Sequence, residues 1–141
     1  MTTGTAPRRR TRPAINRDTQ FFWDGVAEGE LRIQRCDGCQ TLRHTPRPMC
    51  DRCHSTEWTA EPMSGRGTIH SFVIHHHPAL PGVDSPHPVV LVDLEEGVRF
   101  LSEMVVGTDP ADVEIGRAVQ VEFEAVDDEL TLPKFRFTED A

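Results

Sequence analysis

Four cysteines in two closely spaced pairs constrain the fold of this chain more than any other feature. The pairs are Cys36 with Cys39 and Cys50 with Cys53, and ten residues separate them. A two-residue gap lets both sulfurs of a pair face one ion, so four thiolates can surround Zn²⁺ as a tetrahedron with Zn–S distances of about 2.3 Å. Because sulfur would fill all four positions, no site remains for water or substrate. The sequence therefore predicts a structural zinc ion held by these cysteines.

Other uses of the four cysteines remain open from the spacing alone. Iron binds in the same geometry in rubredoxin-like sites, and disulfides or one redox-active pair are further alternatives. The first residues contain no apolar signal segment, and such pairs in a cytosolic chain are more often metal ligands than disulfides. We therefore expect zinc in a cytoplasmic protein. Gln40 and His54 follow the two pairs where zinc ribbons commonly have glycine, which strains both turns and leaves His54 as an alternative ligand.

Charge is distributed unevenly along the 141 residues, whose net charge is −8. The first thirteen residues contain four arginines and no acid, so the rest of the chain is more acidic than the whole. An acidic body argues against nucleic-acid binding, which depends on neutralising phosphates. No stretch approaches the roughly 20 apolar residues of a membrane span, so we expect no membrane association. Residues 1–15 are predicted to be a disordered basic tail, with a contact to RNA or a partner as the alternative.

Apolar periodicity predicts one short helix followed by strands. The helix should run from about Asp18, as its cap, to Glu28, and end at Gly29. A strand at Leu31 and Ile33 leads into the first cysteine pair. Further strands are predicted at Trp58 and over 68–75, 89–92, 98–106, 119–125 and 132–137, with a turn at 65–67. Strands without an intervening helix predict a small closed barrel over 63–141, after a helix and zinc ribbon over 16–62.

The segment from His76 to Pro88 interrupts this strand pattern. It contains four prolines, which cannot donate to a strand ladder, so we expect a long loop that contacts a partner. His75, His76 and His77 could supply a general base or a second metal site. Adjacent side chains on a strand point to opposite faces, however, so at most His75 and His77 share one. We interpret the three as solvated or interface histidines.

Groups for catalysis are few, and we predict no catalytic residue. The four cysteines are assigned to metal, Lys134 is the only lysine, and the chain has no tyrosine. The sequence shows no Ser/His/Asp arrangement and no Gly-rich phosphate loop. Several arginines lie in or beside the predicted ribbon, where they could offset the negative charge of a zinc tetrathiolate. They are Arg32, Arg35, Arg43, Arg47 and Arg52.

Motifs in both halves of the chain resemble the domain-of-unknown-function-35 (DUF35) family. The first half has Phe21-Phe22-Trp23, the run 31–39 and Pro46-Arg47-Pro48-Met49-Cys50, followed by Cys53. The second half has Gly65-Arg66-Gly67, the run 115–119 and Leu132-Pro133-Lys134-Phe135. The match extends in order from about residue 17 to 138. It departs from the family at the two positions after the cysteine pairs.

The resemblance implies a mainly β protein: a short N-terminal helix, a rubredoxin-like zinc ribbon and a C-terminal five-stranded OB-fold barrel. It implies a non-catalytic subunit that binds a thiolase-superfamily enzyme and an acyl-CoA substrate in a hetero-oligomer. Retro-aldol cleavage of a β-hydroxyacyl-CoA in steroid side-chain degradation, with a lipid-transfer-protein-like partner, is the function it favours. An accessory subunit of an acyl-CoA thiolase, a single-stranded nucleic-acid module and an independent enzyme are the alternatives. In the favoured setting, Arg43, Arg47 and Arg52 are candidate contacts for the phosphates of CoA.

Overall fold

The computed structural model describes residues 10–138. One helix, α1 (Gln20–Ala27), precedes eight strands, which form two separate antiparallel sheets. The predicted cap at Asp18 is wrong: the N-cap residue is Thr19, which makes no side-chain capping bond, and Asn16 Oδ1 accepts hydrogen bonds from the N–H groups of Asp18 and Thr19 in the turn before the helix. The helix ends as predicted, with Glu28 at its C-cap and Gly29 in the left-handed region at φ 79°.

The first sheet has three strands in the order β2-β1-β3. Its strands are β1 (Leu31–Cys36), β2 (Leu42–Arg43) and β3 (Trp58–Met63), and β1 pairs with both neighbours. Helix α1 lies against β1 so closely that a Cβ on Gly25 would come within 2.8 Å of the Glu30 carbonyl oxygen. Gly25, which weakens the helix by propensity, is therefore required by this contact.

The second sheet has five strands in the order β6-β5-β4-β7-β8. They are β4 (Arg66–His75), β5 (His87–Leu94), β6 (Arg99–Glu103), β7 (Ala118–Ala125) and β8 (Thr131–Phe137), with a 3₁₀ turn at Pro110–Asp112 before β7. A parallel bridge between Met104 and Phe135 joins the two edges, and the Val105 N–H donates to the Phe135 carbonyl oxygen at 2.8 Å. The predicted five-stranded barrel is confirmed.

Several predicted strand limits differ from the structure. β4 already begins at Arg66, so the predicted turn at 65–67 is wrong beyond Gly65, because Arg66 and Gly67 pair with Gln120 and Val119. β6 is shorter than the predicted 98–106. Its pairing with β5 ends at Glu103, and the next residue, Met104, bridges to β8 where the barrel closes. The predicted loop after β4 is present, and β5 resumes pairing at His87, opposite His75.

The main core fills the barrel and continues under the helix. Alternate residues of β5 are buried, as is Val119 of β7, and the Phe135 and Val90 side chains are fully buried. Phe22 of α1 joins this core through ring contact with Phe100 of β6, at a centroid distance of 5.9 Å. The helix thus connects the ribbon to the barrel.

The chain before the helix lies along the barrel. Arg10 donates a charge-assisted hydrogen bond to Glu103, and Arg12 pairs with Asp127. Residues 1–9, which carry the rest of the predicted basic tail, lie outside the described residues.

Candidate metal centre and surrounding side chains

The four predicted zinc ligands lie together at one end of the ribbon. Cys36 ends β1, and the other three lie on the two turns that follow β1 and β2. The Sγ atoms of Cys36 and Cys53 are 3.5 Å apart, those of Cys39 and Cys50 are 3.6 Å apart, and all four lie within 4.8 Å of one another. A tetrahedron with metal–sulfur distances of about 2.3 Å has edges of about 3.8 Å. All four thiols are free, so the residues fit one tetrahedral ion and form no disulfide.

Two equivalent backbone turns create this arrangement. The Gln40 N–H donates to the Cys36 carbonyl oxygen at 2.8 Å, and the His54 N–H donates to the Cys50 carbonyl oxygen at 3.0 Å. Gln40 has φ 64° and His54 has φ 62°, the left-handed region that favours glycine. The predicted strain at these two positions is confirmed.

Hydrogen bonds within the turns shift the pKa values of the cysteine thiols. Backbone N–H groups of Cys39 and Cys53 lower the pKa values of the Cys36 and Cys50 thiols, respectively. The Ser55 N–H also acts to lower the pKa of Cys53, but the hydrogen bond to Cys36 and desolvation raise that pKa to about 11. The pKa of the Cys39 thiol is lowered as well, chiefly by hydrogen bonding with the Thr41 side chain. Three of the four thiols therefore lose a proton more easily than a free cysteine, which favours binding of a divalent cation.

Arg43 connects β1 to the loop after β2 through hydrogen bonds inside the ribbon. Its side chain is buried, and Nε donates to Gln34 Oε1 at 2.8 Å while Nη2 donates to the Arg47 carbonyl oxygen at 3.0 Å. Gln34 Oε1 also accepts from the Arg47 N–H at 2.8 Å. These bonds hold the loop after β2 in place. The sequence did not reveal this role, because Gln34 on an alternating strand is indistinguishable from a solvent-facing residue.

An open cleft of about 420 Å³ lies between the ribbon and the barrel. All three candidate CoA contacts line it, together with Arg99 of β6. Arg47 is about half exposed and lies 3.6 Å from Asp51, whereas Arg43 is buried and directs Nε and Nη2 into the ribbon. We call these four arginines and the space between them the arginine cleft.

His44 lies between this cleft and the barrel, and sequence reasoning did not single it out. Its ring contacts Phe22 and Phe100, at centroid distances of 5.6 and 4.7 Å. Desolvation lowers the pKa of His44 to about 4, so the imidazole is neutral at pH 7. No periodic signal identifies it, because it follows a two-residue strand.

A second group that the sequence did not reveal is an ionic cluster where the barrel closes. Lys134 is almost fully buried, and its Nζ lies 3.1 Å from Glu103 Oε1 and 2.7 Å from Glu124 Oε1. His87 Nε2 lies 3.0 Å from Glu103 Oε2, which Arg10 also contacts. Although desolvation acts to raise it, the hydrogen bond from Arg10 and the charge of Lys134 hold the pKa of Glu103 below its usual value. The cluster joins β5, β6, β7 and β8 at the barrel closure.

The three adjacent histidines are not brought together as a site. His75 Nε2 lies 2.7 Å from the Pro78 carbonyl oxygen, and the carbonyl oxygen of His76 accepts a hydrogen bond from Ser85. His76 and His77 are exposed. Among residues 10–138, the only cluster with metal-ligand geometry is the four cysteines.

Comparison with known proteins agrees with the two halves of this architecture. Residues 23–59 match the family described as the ChsH2 rubredoxin-like zinc ribbon domain, and residues 60–124 match the ChsH2 C-terminal OB-fold domain. A solved chain described as "Ltp2-ChsH2(DUF35) aldolase" superposes with a TM-score of 0.83 at 43% identity, over 89% of this chain and 98% of that one.

Two curated relatives are longer than this chain. The "3-oxo-4,17-pregnadiene-20-carboxyl-CoA hydratase alpha subunit" of Mycobacterium tuberculosis is 49% identical over 83% of this chain and 37% of its own length. The "Probable enoyl-CoA hydratase alpha subunit" of Thermomonospora curvata is 43% identical over 90% of this chain and 40% of its own length. The chain therefore spans about two fifths of the length of these relatives.

These matches define the class as a zinc ribbon joined to an OB-fold barrel, with the ribbon's four cysteines as the structural zinc site. The chain belongs to the DUF35 family, as its motifs indicated. Within residues 10–138, no helix has the length and apolar character needed to cross a membrane.

Proposed function

We propose that this chain is a non-catalytic, zinc-stabilised subunit of an acyl-CoA complex whose thiolase-superfamily partner performs the chemistry. The observation that carries this proposal is the likeness to the chain of the Ltp2-ChsH2(DUF35) aldolase, which this chain covers almost completely. The partner would cleave a β-hydroxyacyl-CoA by a retro-aldol step. In that step a base of the partner takes the β-hydroxyl proton, the bond between the α and β carbons breaks, and a carbonyl forms at the β carbon. The electron pair passes to the α carbon, which takes up a proton to give the shorter acyl-CoA.

The name of the M. tuberculosis relative supports a fused-ring acyl group, because it specifies a pregnadiene carboxyl-CoA. We therefore favour steroid side-chain degradation over a general thiolase. This chain would stabilise the partner and form part of the entrance for CoA.

The outer face of the barrel is the surface we assign to the partner. Val73 is 60% exposed and Leu101 is 62% exposed, although both lie on strands. Val73 pairs with Val89, and Leu101 pairs with Leu91, so the four side chains form one apolar patch across β4, β5 and β6. Ion pairs of Asp93 border it, which gives an apolar centre with a polar rim, as in protein interfaces.

The long loop between β4 and β5 starts beside this patch. β4 and β5 form a hairpin whose last pair is His75 and His87, two residues beyond Val73 and Val89. Leu80 within the loop is 42% exposed. Prolines limit the conformations of the loop before binding, which lowers the cost of ordering it in a complex.

Co-expression with a tagged lipid-transfer-protein-like thiolase homologue tests the assembly. We expect co-purification of the unaltered chain and its loss when residues 76–86 are replaced by a short glycine-containing turn or when Leu101→Asp is introduced. Ile115→Asp, at an equally exposed apolar position outside the patch, is the matched control. Turnover of a β-hydroxyacyl-CoA by this chain alone, or complex formation unaffected by both changes, would contradict the proposal.

We further propose that the arginine cleft contacts the phosphates of CoA. Arg47 and Arg52 are exposed there, and guanidinium groups match phosphate oxygens with paired donors. The double variant Arg47→Ala/Arg52→Ala should raise the KM of the complex for acyl-CoA about tenfold with little change in kcat, while Arg66→Ala should not. An unchanged KM would remove this assignment. Arg43→Ala is unsuitable as a test, because its loss would disturb the loop through Gln34.

A nucleic-acid module, the alternative from another class, needs exposed aromatic platforms and a basic groove. Within the described residues, every phenylalanine and tryptophan is buried or half-buried. Single-stranded DNA binding at low salt, measured by filter retention, would revive that alternative.

A further inference from the structure

A second cleft, of about 340 Å³, lies where α1, the loop after β2 and the open edge of β6 meet. We call it the seam cleft. Its walls are mainly apolar, and their larger side chains are Phe22, Trp23, Pro46, Phe100 and Leu101. The volume is at the lower end of the range of about 300–1,000 Å³ for small-molecule sites, which are typically apolar with few polar groups.

His44 is the one histidine among the described residues that line the seam cleft. Its imidazole contacts two phenylalanine rings, but no hydrogen bond joins it to any side chain or backbone group within residues 10–138. A neutral imidazole carries one N–H donor and one nitrogen acceptor. Within residues 10–138, neither His44 nitrogen is buried without a partner, so both are open to the clefts that His44 lines and can bond a ligand oxygen there.

The polar end of the seam cleft carries no net charge. Arg10 and Glu103 both line it, but they pair with each other. The Ser102 hydroxyl already donates to the Pro133 carbonyl oxygen. Such a wall suits a neutral molecule and gives no site for phosphate groups. Phosphates suit the arginine cleft, and His44 lines both clefts, so the two open on either side of one residue.

We propose that the seam cleft binds the acyl portion of the acyl-CoA, a neutral fused-ring group that carries oxygen, and that His44 hydrogen-bonds an oxygen of that portion. This inference rests on the proposed function and deepens it. The subunit would then contribute to substrate selection as well as to assembly. His44 would be a binding residue, with no part in bond cleavage.

Direct binding to the isolated 141-residue chain tests this inference without the partner. The probe is androstenedione, a fused-ring diketone without CoA, and the signal is the fluorescence of Trp23 in a Trp58→Phe background. We expect saturable quenching. His44→Phe keeps the ring contacts but removes both nitrogens, and it should weaken binding about fivefold to tenfold, the effect of one lost hydrogen bond. His44→Asn should restore part of the affinity, and Ile115→Ala, outside the cleft, should not change it.

A second measurement does not depend on how the variants fold. In the unaltered protein labelled with ¹⁵N-histidine, the probe should shift the ring nitrogen resonances of His44 and leave those of His76 in place. Absence of saturable quenching, equal affinity in His44→Phe with unchanged zinc content, or unmoved His44 resonances would each overturn the inference. Failure of complex formation would instead contradict the proposed function alone. If the probe does not bind but His44→Phe weakens the complex, the cleft receives a partner side chain and the inference is wrong.

Discussion

The ribbon and the barrel reach stability in different ways. The ribbon has three strands, one of them only two residues long, and two of its buried side chains are the polar Gln34 and Arg43. The barrel has five strands around an apolar interior that includes Ile69, Val92 and Phe135. Small units cannot bury enough apolar surface to fold alone, and a metal commonly compensates for this. The ribbon's fully buried apolar side chains on β1 are Leu31 and Ile33, which join the core shared with α1 and the barrel, so we expect one cation to supply much of the stability of residues 31–63.

The largest test of this difference is removal of the metal. Chelation, or Cys50→Ser, should abolish the fold of the ribbon, because structural zinc contributes on the order of 10 kcal/mol to such units. Hydrogen exchange should then show lost amide protection over 31–63 with retained protection in β4, β5 and β7. Adding zinc back should restore the ribbon in the chelated sample but not in the variant. Equal loss of protection in the barrel would show that the two regions form one cooperative unit.

The converse test removes a core side chain from the barrel. Phe135 is fully buried and contacts Phe100, so Phe135→Ala should lower the free energy of unfolding by about 3–5 kcal/mol. Urea denaturation measures this change. Phe137→Ala, two residues along the same strand, is the control, because its half-buried ring packs under Arg117 and should cost less. Similar losses for both variants would mean that the barrel interior is not the source of stability.

The third test concerns the junction between the two regions. The folded-state pKa of His44 is about 4, against 6.5 for the free side chain, so the unfolded chain binds the extra proton first as pH falls. The stability contributed by neutral His44 is complete above about pH 6.5 and declines between pH 6.5 and 4. The total decline should be about 3 kcal/mol, at 1.36 kcal/mol per pKa unit. His44→Phe should flatten this part of the stability profile, measured by urea titration at each pH.

Exposed His76 supplies the control for that profile, because His76→Phe should leave the pH dependence unchanged. A profile for His44→Phe as steep as that of the unaltered protein would show that the junction does not depend on a neutral imidazole.

Sequence patterns were sufficient wherever one local rule determined the structure. The spacing of the cysteines predicted the cluster, and alternation along 119–125 predicted β7. Gly29 marked the end of α1, because helices commonly end with a residue in the left-handed region and glycine adopts that conformation readily. These features depend on neighbours in the sequence, so they can be identified before the fold is known.

Features that depend on distant pairs were not predictable in this way. No local signal separates Lys134 and Glu103 from surface charges, yet closure of the barrel buries both against each other. His44 follows a two-residue strand, and only the packing of α1 against β6 surrounds its ring. Asp18 was a plausible cap, but a turn begun at Asn16 includes Asp18 and moves the N-cap to Thr19.

The smallest expected effect concerns Gln40 and His54 of the ribbon, whose left-handed backbone conformation favours glycine. A left-handed residue other than glycine costs roughly 1–2 kcal/mol, and the extra chain entropy of glycine offsets about half of this. Gln40→Gly and His54→Gly should therefore each stabilise the zinc-bound ribbon by about 0.5–1 kcal/mol, measured by competition with a zinc chelator. Gln40→Ala keeps the strained backbone but loses the hydrogen bond from the side chain to the Asp37 carbonyl oxygen, so it should weaken binding slightly. If Gln40→Gly also weakens binding, that hydrogen bond contributes more than the strain costs.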